Sequence, residues 1–462
     1  MELDIIKTKV AKLAKSKNIN IQAAWDIFFF EEFLHRLSLS DYSELFVLKG
    51  GFYLQSIVGV NIRSTMDLDL KLMGIERSSE ELFNIIKGIV QIKTDSNIMF
   101  DILSINDILA ESKYGGKTIK ISAKFYNVKK VFSIDIGFGD IITPYPINYN
   151  YQNSISDNNY SLLSYPIETC IAEKFETIVS KGTNNSRSKD LLDICLYQKQ
   201  EYNIELLNAA MVNTFFIRNT KYDYDYIFDS LNNVFNSIRI KELYDNYQHK
   251  HSFASSITFE MCKEAVYSLL SKLVFKDKIN LSDFGVELHV VRHGQDEINK
   301  PGGWSDNHLI EEGIQQVNDL LDCIDDDYDL FVSSDLNRAK ETAEILNSKM
   351  KINVVYDRKF REVNNGDLKN LTKEDFINKY SGLYYSSLKM DESYPNGESP
   401  NMFYERISNS FVELLKSNKN KKILLVTHGG VITVILCLLN GYVYNNNLKI
   451  NPKTGSIIKL KW

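Results

Sequence analysis

Two short apolar runs, "VELHVVRHG" and "KILLVTHGG", each end on a histidine followed by glycine, and no other feature constrains the C-terminal part of the chain as much. Both are strand-length and apolar at successive positions, the pattern of a strand covered on both faces. "DLFVSS" and "INVVYD" read the same way, with helical periodicity in the stretches between. Short strands alternating with helices imply a parallel sheet in an α/β domain. Ligands of open α/β sheets bind at the carboxyl ends of strands, where His293 and His428 stand. Packing alone explains two such histidines poorly.

At 462 residues the chain exceeds one ordinary domain. "KDKINLSDFG" is polar, ends in glycine and separates two pattern regimes. It divides the chain into an N-terminal domain, 1–275, a linker, 276–285, and a C-terminal domain, 286–462. Residues up to about 40 read as helices, β-rich runs alternate with helical stretches up to "FSIDIGFGD", and about 165–275 reads as helical. That order makes the first domain α+β with a helical C-terminal part. Hydrophobic content of 44% with 25% charged residues is that of a soluble globular protein. No apolar run reaches membrane-spanning length, and the first residues lack a signal-peptide core. The five scattered cysteines show no CxxC or zinc spacing, so reduced thiols and a cytoplasmic location are expected. A net charge of −6 argues against a basic coat but leaves room for a local basic groove that binds RNA.

The residue types around the two histidines suit phosphoryl chemistry. "VELHVVRHGQDEIN" places Arg292 beside His293 and Asn299 behind them; Arg338 lies in "SSDLNRAKETA" and Glu362 in "REVNNGD". Arginine forks bind phosphoryl oxygens bidentately, which lysine cannot copy. A neutral imidazole can attack phosphorus, and a nearby carboxylic acid can protonate the leaving alcohol and then activate water.

In the first half, "LFVLKGGFYLQSI" reads as a strand, then Lys49, Gly50 and Gly51, then a helix. Backbone N–H groups at such a helix start can approach a phosphate chain. In "NIRSTMDLDL", Asp67 and Asp69 are two apart on a strand and share a face. Two carboxylates on one face repel unless a cation lies between them, and apolar neighbours make a solvated surface strand a poor explanation. Asp135, in another apolar strand, could complete the site, with Asp140 the weaker alternative. Three carboxylates holding magnesium suit in-line attack on a nucleoside triphosphate. "IAEKFETIVSKGTNNSRSKDLLDI" adds Lys174, Arg187, Lys189 and Asp190.

These segments carry two resemblances. About residues 285–462 resemble the histidine phosphatase (phosphoglycerate mutase-like) superfamily, with "RHG", "LIEEG", "SSDLNRAKETA", "REVNNGD", "PNGES" and "VTHGG" in the family's order. The resemblance implies a three-layer α/β/α fold with His293 as nucleophile. It implies Arg292, Arg338, His428 and Asn299 around the phosphoryl group, and Glu362 as acid/base. The shortness of the domain looks more like a phosphatase than a mutase. Three positions depart from the family: Asp296 stands where it carries threonine or serine, Asp335 where it carries proline, and "GDLKN" where it carries GxWEG. A carboxylate at 296 would repel phosphate unless it faces away or pairs with arginine.

About residues 20–275 resemble the AbiEii-type nucleotidyltransferase toxins of the polymerase-β-like superfamily, through "LKGG", "RSTMDLDL", the Asp135 strand, "AEKFETI" and "RSKDLLD". The resemblance implies that Gly50 and Gly51 contact the triphosphate, with Lys49, Arg63 and Ser64 beside it. Asp67 and Asp69 would bind metal, and Lys174 and Asp190 would complete the site. It further implies nucleotide transfer to RNA, tRNA 3′ ends included, in toxin–antitoxin and abortive-infection systems, with an antitoxin as possible partner. The expectation is a bifunctional protein: a magnesium-dependent nucleotidyltransferase acting on tRNA, and a phosphatase that opposes or complements it on a phosphorylated substrate. The alternative is a biosynthetic pair acting on a small sugar or metabolite. A third reading makes one domain an inert binding module.

Overall fold

A computed structural model describes residues 2–59, 65, 67–74, 78–108, 115–156, 159–297 and 300–461. The chain divides into two units, Met1–Leu273 and Val274–Trp462. No helix of the described residues is long and apolar enough to cross a membrane.

The first unit begins with helices α1 (Leu3–Lys17) and α2 (Ile21–Ser38). The side chain of Asn20 accepts a hydrogen bond from Ala23 N–H and caps α2. Its sheet is built from β1 (Phe46–Lys49), then, after helix α3 (Gly50–Val58), β2 (Leu68–Leu72). After helix α4 (Ser79–Val90) come β3 (Ile98–Asp107), β4 (Gly116–Phe125), β5 (Val128–Gly137), β6 (Ile147–Gln152) and β7 (Asn159–Ser164). Among the described residues the strand order is β3-β4-β5-β2-β1-β7-β6. β2 pairs antiparallel with β1 and parallel with β5, a register that sets Lys49 and Asp135 on either side of Asp69. Phe30 of α2 packs edge-on against Phe52 of α3 and Phe132 of β5, with ring centroids 5.3 and 5.1 Å apart. This aromatic cluster fixes the helices on the sheet from which the acidic residues project.

Helices α5 (Ile167–Lys181), α6 (Ser188–Tyr197), α7 (Ile204–Ile217), α8 (Tyr224–Phe235), α9 (Ile238–Lys250) and α10 (Phe259–Leu270) complete this unit. α5 packs on α6 and α7, and α6 also meets α3, the helix that packs on β2, the central strand that carries Asp69.

The second unit alternates β8 (Glu287–Arg292), α11 (Glu311–Leu320), β9 (Leu330–Ser333), α12 (Asn337–Met350), β10 (Val354–Tyr356), α13 (Lys373–Tyr380), α14 (Pro400–Ser417), β11 (Lys422–Thr427), α15 (Gly429–Asn440) and β12 (Ser456–Leu460). The described strands run β10-β9-β11-β8-β12, parallel except for the antiparallel edge strand β12. Residues 423–427 of β11 are all buried, as a central strand under two helical layers requires. Leu424 and Val426 face one layer, where Val317 of α11 and Ala343 and Leu346 of α12 pack. α15 covers the other face and packs on α14.

The linker expected at 276–285 is part of this unit. Lys276 N–H donates to the Gly441 carbonyl and Ile279 N–H to the Leu438 carbonyl, each at 2.9 Å, and Leu281 is buried. The polar stretch satisfies carbonyls at the end of α15 that have no partner within the helix.

Candidate active sites

Each unit carries its own site. In the first, β2 presents Asp69 directly beside Asp135 of β5, and Asp67 precedes the strand by one residue. Thr118 of β4 donates to Asp135 Oδ1 at 2.6 Å. Burial, and then the charges of Asp69 and Asp67, push the Asp135 carboxyl above its usual value. Lys189 at the start of α6 lies 3.5 Å from the exposed carboxylate of Asp67. Negative charge is thus gathered at one strand end, and an all-oxygen donor set of this kind fits a hard divalent cation such as magnesium. Gly51 N–H, in the first turn of α3, lies 3.4 Å from Asp69 Oδ2.

Lys174 of α5 reaches the buried carboxylates of Asp190 (2.6 Å) and Asp193 (3.0 Å) on α6, while Arg187 lies 3.4 Å from Asp190. The lysine therefore fixes α6 against α5. These charges hold its ammonium above the ordinary range although burial acts the other way. Asp193 had no distinguishing signal in the sequence beyond its place one helical turn after Asp190.

One expectation is corrected. Lys49 does not lie free for a triphosphate: its ammonium is 2.9 Å from Asp140, 3.2 Å from Glu173 and 3.2 Å from the Tyr165 hydroxyl. Asp140, the weaker alternative for the third carboxylate, also takes Arg218 at 2.9 Å. Burial raises the Asp140 carboxyl, but Lys49 and Arg218 outweigh it and hold the group well below the usual range. Arg218 further pairs with Glu176 at 2.8 Å. This buried network ties β1, α5 and α7 together beneath the Gly50–Gly51 turn; sequence reading missed Glu173, Glu176 and Arg218 because their partners are distant in the chain. Arg63 and Ser64 lie outside the described residues.

In the second unit, β8 and β11 are parallel neighbours, so their carboxyl ends bring His293 and His428 to a ring-centroid distance of 5.1 Å. His293 is 5% exposed, Arg338 2% and His428 0%. His293 Nδ1 lies 2.7 Å from the Gly294 carbonyl, which only accepts, so Nδ1 carries the proton and Nε2 keeps its lone pair. Arg338 Nε donates to that Nε2 at 3.3 Å. Arg338 is itself aimed by the carbonyls of Gly303 (2.7 Å) and Ser305 (3.2 Å). Burial, and then the charges of Arg338 and Arg292, hold His293 well below an ordinary imidazole, which keeps it neutral and nucleophilic. Burial and Arg338 act on His428 in the same direction. Arg292 is oriented by the Pro452 carbonyl at 2.7 Å, and His428 by Ser334 at 2.8 Å. Among the described residues Arg292 Nε and His428 Nδ1 are buried without a hydrogen-bond partner. Unpaired buried groups of this kind are costly unless a ligand meets them, and their character suits a phosphoryl oxygen.

Glu362 stands at the start of α15: Gly430 N–H donates to Oε2 at 2.9 Å and Val363 N–H to Oε1 at 3.0 Å. A Cβ at position 430 would lie 2.2 Å from Oε1, so glycine is required for this approach. The Glu362 carbonyl accepts from Trp304 Nε1 (2.7 Å) and Arg406 Nη2 (3.1 Å), two positioning residues that no local pattern singled out. Asp296 pairs with Arg338 Nε at 3.5 Å and accepts from Asn307 at 3.1 Å, so its charge is partly neutralised. Asp335 is held by Arg361 at 2.5 and 2.7 Å, an ion pair in place of the family's proline. Asn299 lies outside the described residues.

Comparison with known proteins assigns a family to each domain. Residues 288–462 match the histidine phosphatase superfamily (branch 1). Residues 32–263, just over half of the chain, match the family described as nucleotidyl transferase AbiEii toxin, type IV toxin–antitoxin system. Among curated proteins, the uncharacterized phosphatase PhoE of Bacillus subtilis (strain 168) is 30% identical over 156 residues, 33% of this chain and 76% of the relative. Phosphoglycerate mutase-like protein 4 of Arabidopsis thaliana is 34% identical over 155 residues, 32% of this chain and 67% of the relative. Among solved structures, the alpha-ribazole phosphatase from Shigella flexneri is 23% identical with a TM-score of 0.33, covering 37% of this chain and 88% of its own. The chain belongs to the AbiEii nucleotidyltransferase toxin family and joins to that enzyme domain a phosphatase of the histidine phosphatase superfamily.

Proposed function

We propose that the first unit transfers a nucleotide from a nucleoside triphosphate to an RNA acceptor, tRNA foremost, and that the second hydrolyses a phosphomonoester through a phosphohistidine. The observation that carries the first half is the pairing of Asp69 with Asp135 across β2 and β5 beside the Gly50–Gly51 helix start. Asp67, Asp69 and Asp135 would hold magnesium, which when bound neutralises triphosphate charge and lowers the barrier to in-line attack. In this reading the backbone N–H groups at the start of α3 would meet the triphosphate beside Asp69, to which Gly51 N–H lies at 3.4 Å. Lys189 and Arg187 place positive charge at the same edge, where an RNA backbone would run. The acceptor rests on likeness to the toxin family, which also makes an antitoxin a candidate partner.

In the phosphatase, His293 Nε2 attacks phosphorus and the ester P–O bond breaks. Glu362 protonates the departing alcohol. Water, deprotonated by Glu362, then attacks the phosphohistidine, releases phosphate and restores the neutral imidazole. Arg292, Arg338 and His428 bind the three remaining oxygens throughout.

A phosphodiester carries a second ester substituent on one of those oxygens, where the buried arginine and histidine donors leave it no place. Nucleotide transfer to RNA makes a phosphodiester. This supports a phosphatase that complements the transferase, by acting on a separate phosphomonoester such as a phosphorylated acceptor end, over one that reverses it.

The test incubates full-length protein with total tRNA, magnesium and each labelled nucleoside triphosphate, comparing wild type, Asp69→Ala and His293→Ala. Label transferred by wild type and His293→Ala but not by Asp69→Ala supports the reading. No transfer by any variant contradicts it and favours a small-molecule acceptor.

A further inference from the structure

Beside Glu362 the second unit opens into a cavity of about 420 Å³ that the mechanism above leaves without a role. Its near wall is shared with the catalytic centre: Gly303, whose carbonyl aims Arg338, and Val363, which follows Glu362, both line it. The far wall is apolar and aromatic, formed by Phe376 and Ile377 of α13 together with Leu383, Tyr384, Tyr385 and Tyr394. We propose that this cavity receives the alcohol part of the phosphomonoester, and that this part is an aromatic or aliphatic body rather than a polyol, glycerate or amino acid.

The position fits a leaving group. Burial raises the Tyr385 and Tyr394 hydroxyls far above their usual range, and the charge of Glu362 adds to both, so the acid that protonates the alcohol is within electrostatic reach of the cavity wall. An ester whose phosphoryl group meets Arg292, Arg338 and His428 directs its alcohol past Glu362 into this space.

The chemistry of the wall selects the class. Ile377 is 51% exposed and Tyr384 57%, apolar surface that a ligand of matching character would cover. Three of the polar side chains that line it, those of Asn365, Tyr385 and Lys300, are already engaged. Asn365 accepts from Trp304 N–H at 2.9 Å and donates to the Gly302 carbonyl at 3.1 Å. The Tyr385 hydroxyl shares a 2.6 Å hydrogen bond with Tyr444, and Lys300 at the rim is 3.0 Å from Glu297. A polyol entering here would give up water hydrogen bonds and find few replacements, whereas a ring or alkyl chain loses none and stacks on the tyrosines.

The inference rests on the phosphatase reading, and the experiment separates the two. Full-length protein is assayed with benzyl phosphate and glycerol 1-phosphate, both esters of weakly acidic alcohols, so leaving-group acidity does not decide the outcome. Wild type is expected to prefer benzyl phosphate by about tenfold or more in kcat/KM, the discrimination one small apolar group gains in a hydrophobic pocket. Ile377→Asp and Tyr384→Ser, both at exposed positions that folding tolerates, are expected to bring the ratio towards one. A wild-type ratio of one or less, with turnover abolished by His293→Ala, overturns the cavity assignment and leaves the phosphatase standing. A preference that survives both cavity variants overturns the assignment as well. Failure to turn over either ester beyond the His293→Ala background overturns the phosphatase reading and the inference with it.

Discussion

Asp69 lies directly over Gly50: a Cβ added to Gly50 would sit 2.0 Å from Asp69 Oδ2, and the glycine holds a φ of +71°. The turn and the carboxylate beside it are one structural unit, since any side chain at 50 displaces the aspartate and strains the backbone. Gly50→Ala is therefore expected to lower nucleotidyl transfer by about a hundredfold or more, the loss that follows misplacement of a catalytic group by an ångström. Hydrolysis of benzyl phosphate by the same protein is expected to stay within about twofold of wild type. Transfer rates unaffected by the substitution would separate Asp69 from the chemistry.

Imidazole protonation offers a second test. Burial and the charges of Arg338 and Arg292 disfavour the imidazolium of His293, so its proton leaves at lower pH than from a free imidazole. At pH 6.5, where an ordinary histidine is about half protonated, His293 and His428 are expected to show the ¹⁵N shifts of neutral rings. Because their folded values lie below the unfolded one, both contribute stability that is present above about pH 6.5 and is lost as pH falls through the folded values. Half-protonated rings at pH 6.5 in the folded protein would contradict this electrostatic account.

Asp296 is expected to weaken phosphate binding. Its carboxylate sits against Arg338 at 3.5 Å, inside the charge field that a phosphoryl group must enter. Asp296→Asn keeps an acceptor for Asn307 and removes one negative charge. Where water screens the site, at a dielectric of about 80, repulsion between two unit charges a few ångströms apart is about 1 kcal/mol. Vanadate is expected to bind Asp296→Asn about five- to tenfold more tightly, read by inhibition of ester hydrolysis. Weaker binding would mean that the carboxylate acts by aiming Arg338.

The network under the first site is expected to govern its stability. Arg218 meets Asp140, Glu173 and Glu176, and removing it leaves Asp140 and Glu173 with Lys49 and Glu176 with the Thr220 hydroxyl. Arg218→Met is expected to destabilise the first unit by about 3 to 5 kcal/mol, the cost of an uncompensated buried charge. Denaturant unfolding followed by hydrogen exchange in α5 and α7 measures it. A loss below about 1 kcal/mol would show that water enters and solvates the cluster.

What the sequence revealed follows from range. The strands β8, β9 and β11 are apolar at successive positions because helices cover both faces, and that pattern is local, whereas β10 at the sheet edge is apolar but largely exposed. The edge strand β12 escaped notice: "SIIKL" is short and half-buried, and its antiparallel pairing with β8 joins residues far apart in the chain. His293, His428, Arg338 and Glu362 were legible because each sits in a compact motif at an element end. Period two marked Asp67 and Asp69 as one strand face, but β2 begins at Leu68, so only Asp69 lies in the strand, beside Asp135 of β5. Lys49 was misread because a lysine before two glycines looks like a phosphate contact, while Asp140 and Glu173, which hold it, follow much later. The partner of Asp296 could not be read either, since Arg338 reaches it only through the fold. The supposed linker was misread because polar composition marks a loop and says nothing of where its backbone N–H groups donate.

The central claim is that one chain carries two independent active sites, one built on Asp69 and one on His293. The most direct measurement assays both reactions on the same preparations of wild type, Asp69→Asn and His293→Ala: label transfer from nucleoside triphosphates to tRNA, and hydrolysis of benzyl phosphate. The account predicts a double dissociation. Asp69→Asn loses transfer and keeps hydrolysis, while His293→Ala keeps transfer and loses hydrolysis by about a thousandfold or more, as expected when a covalent nucleophile is removed. Loss of both activities in either variant, or of neither, would contradict it.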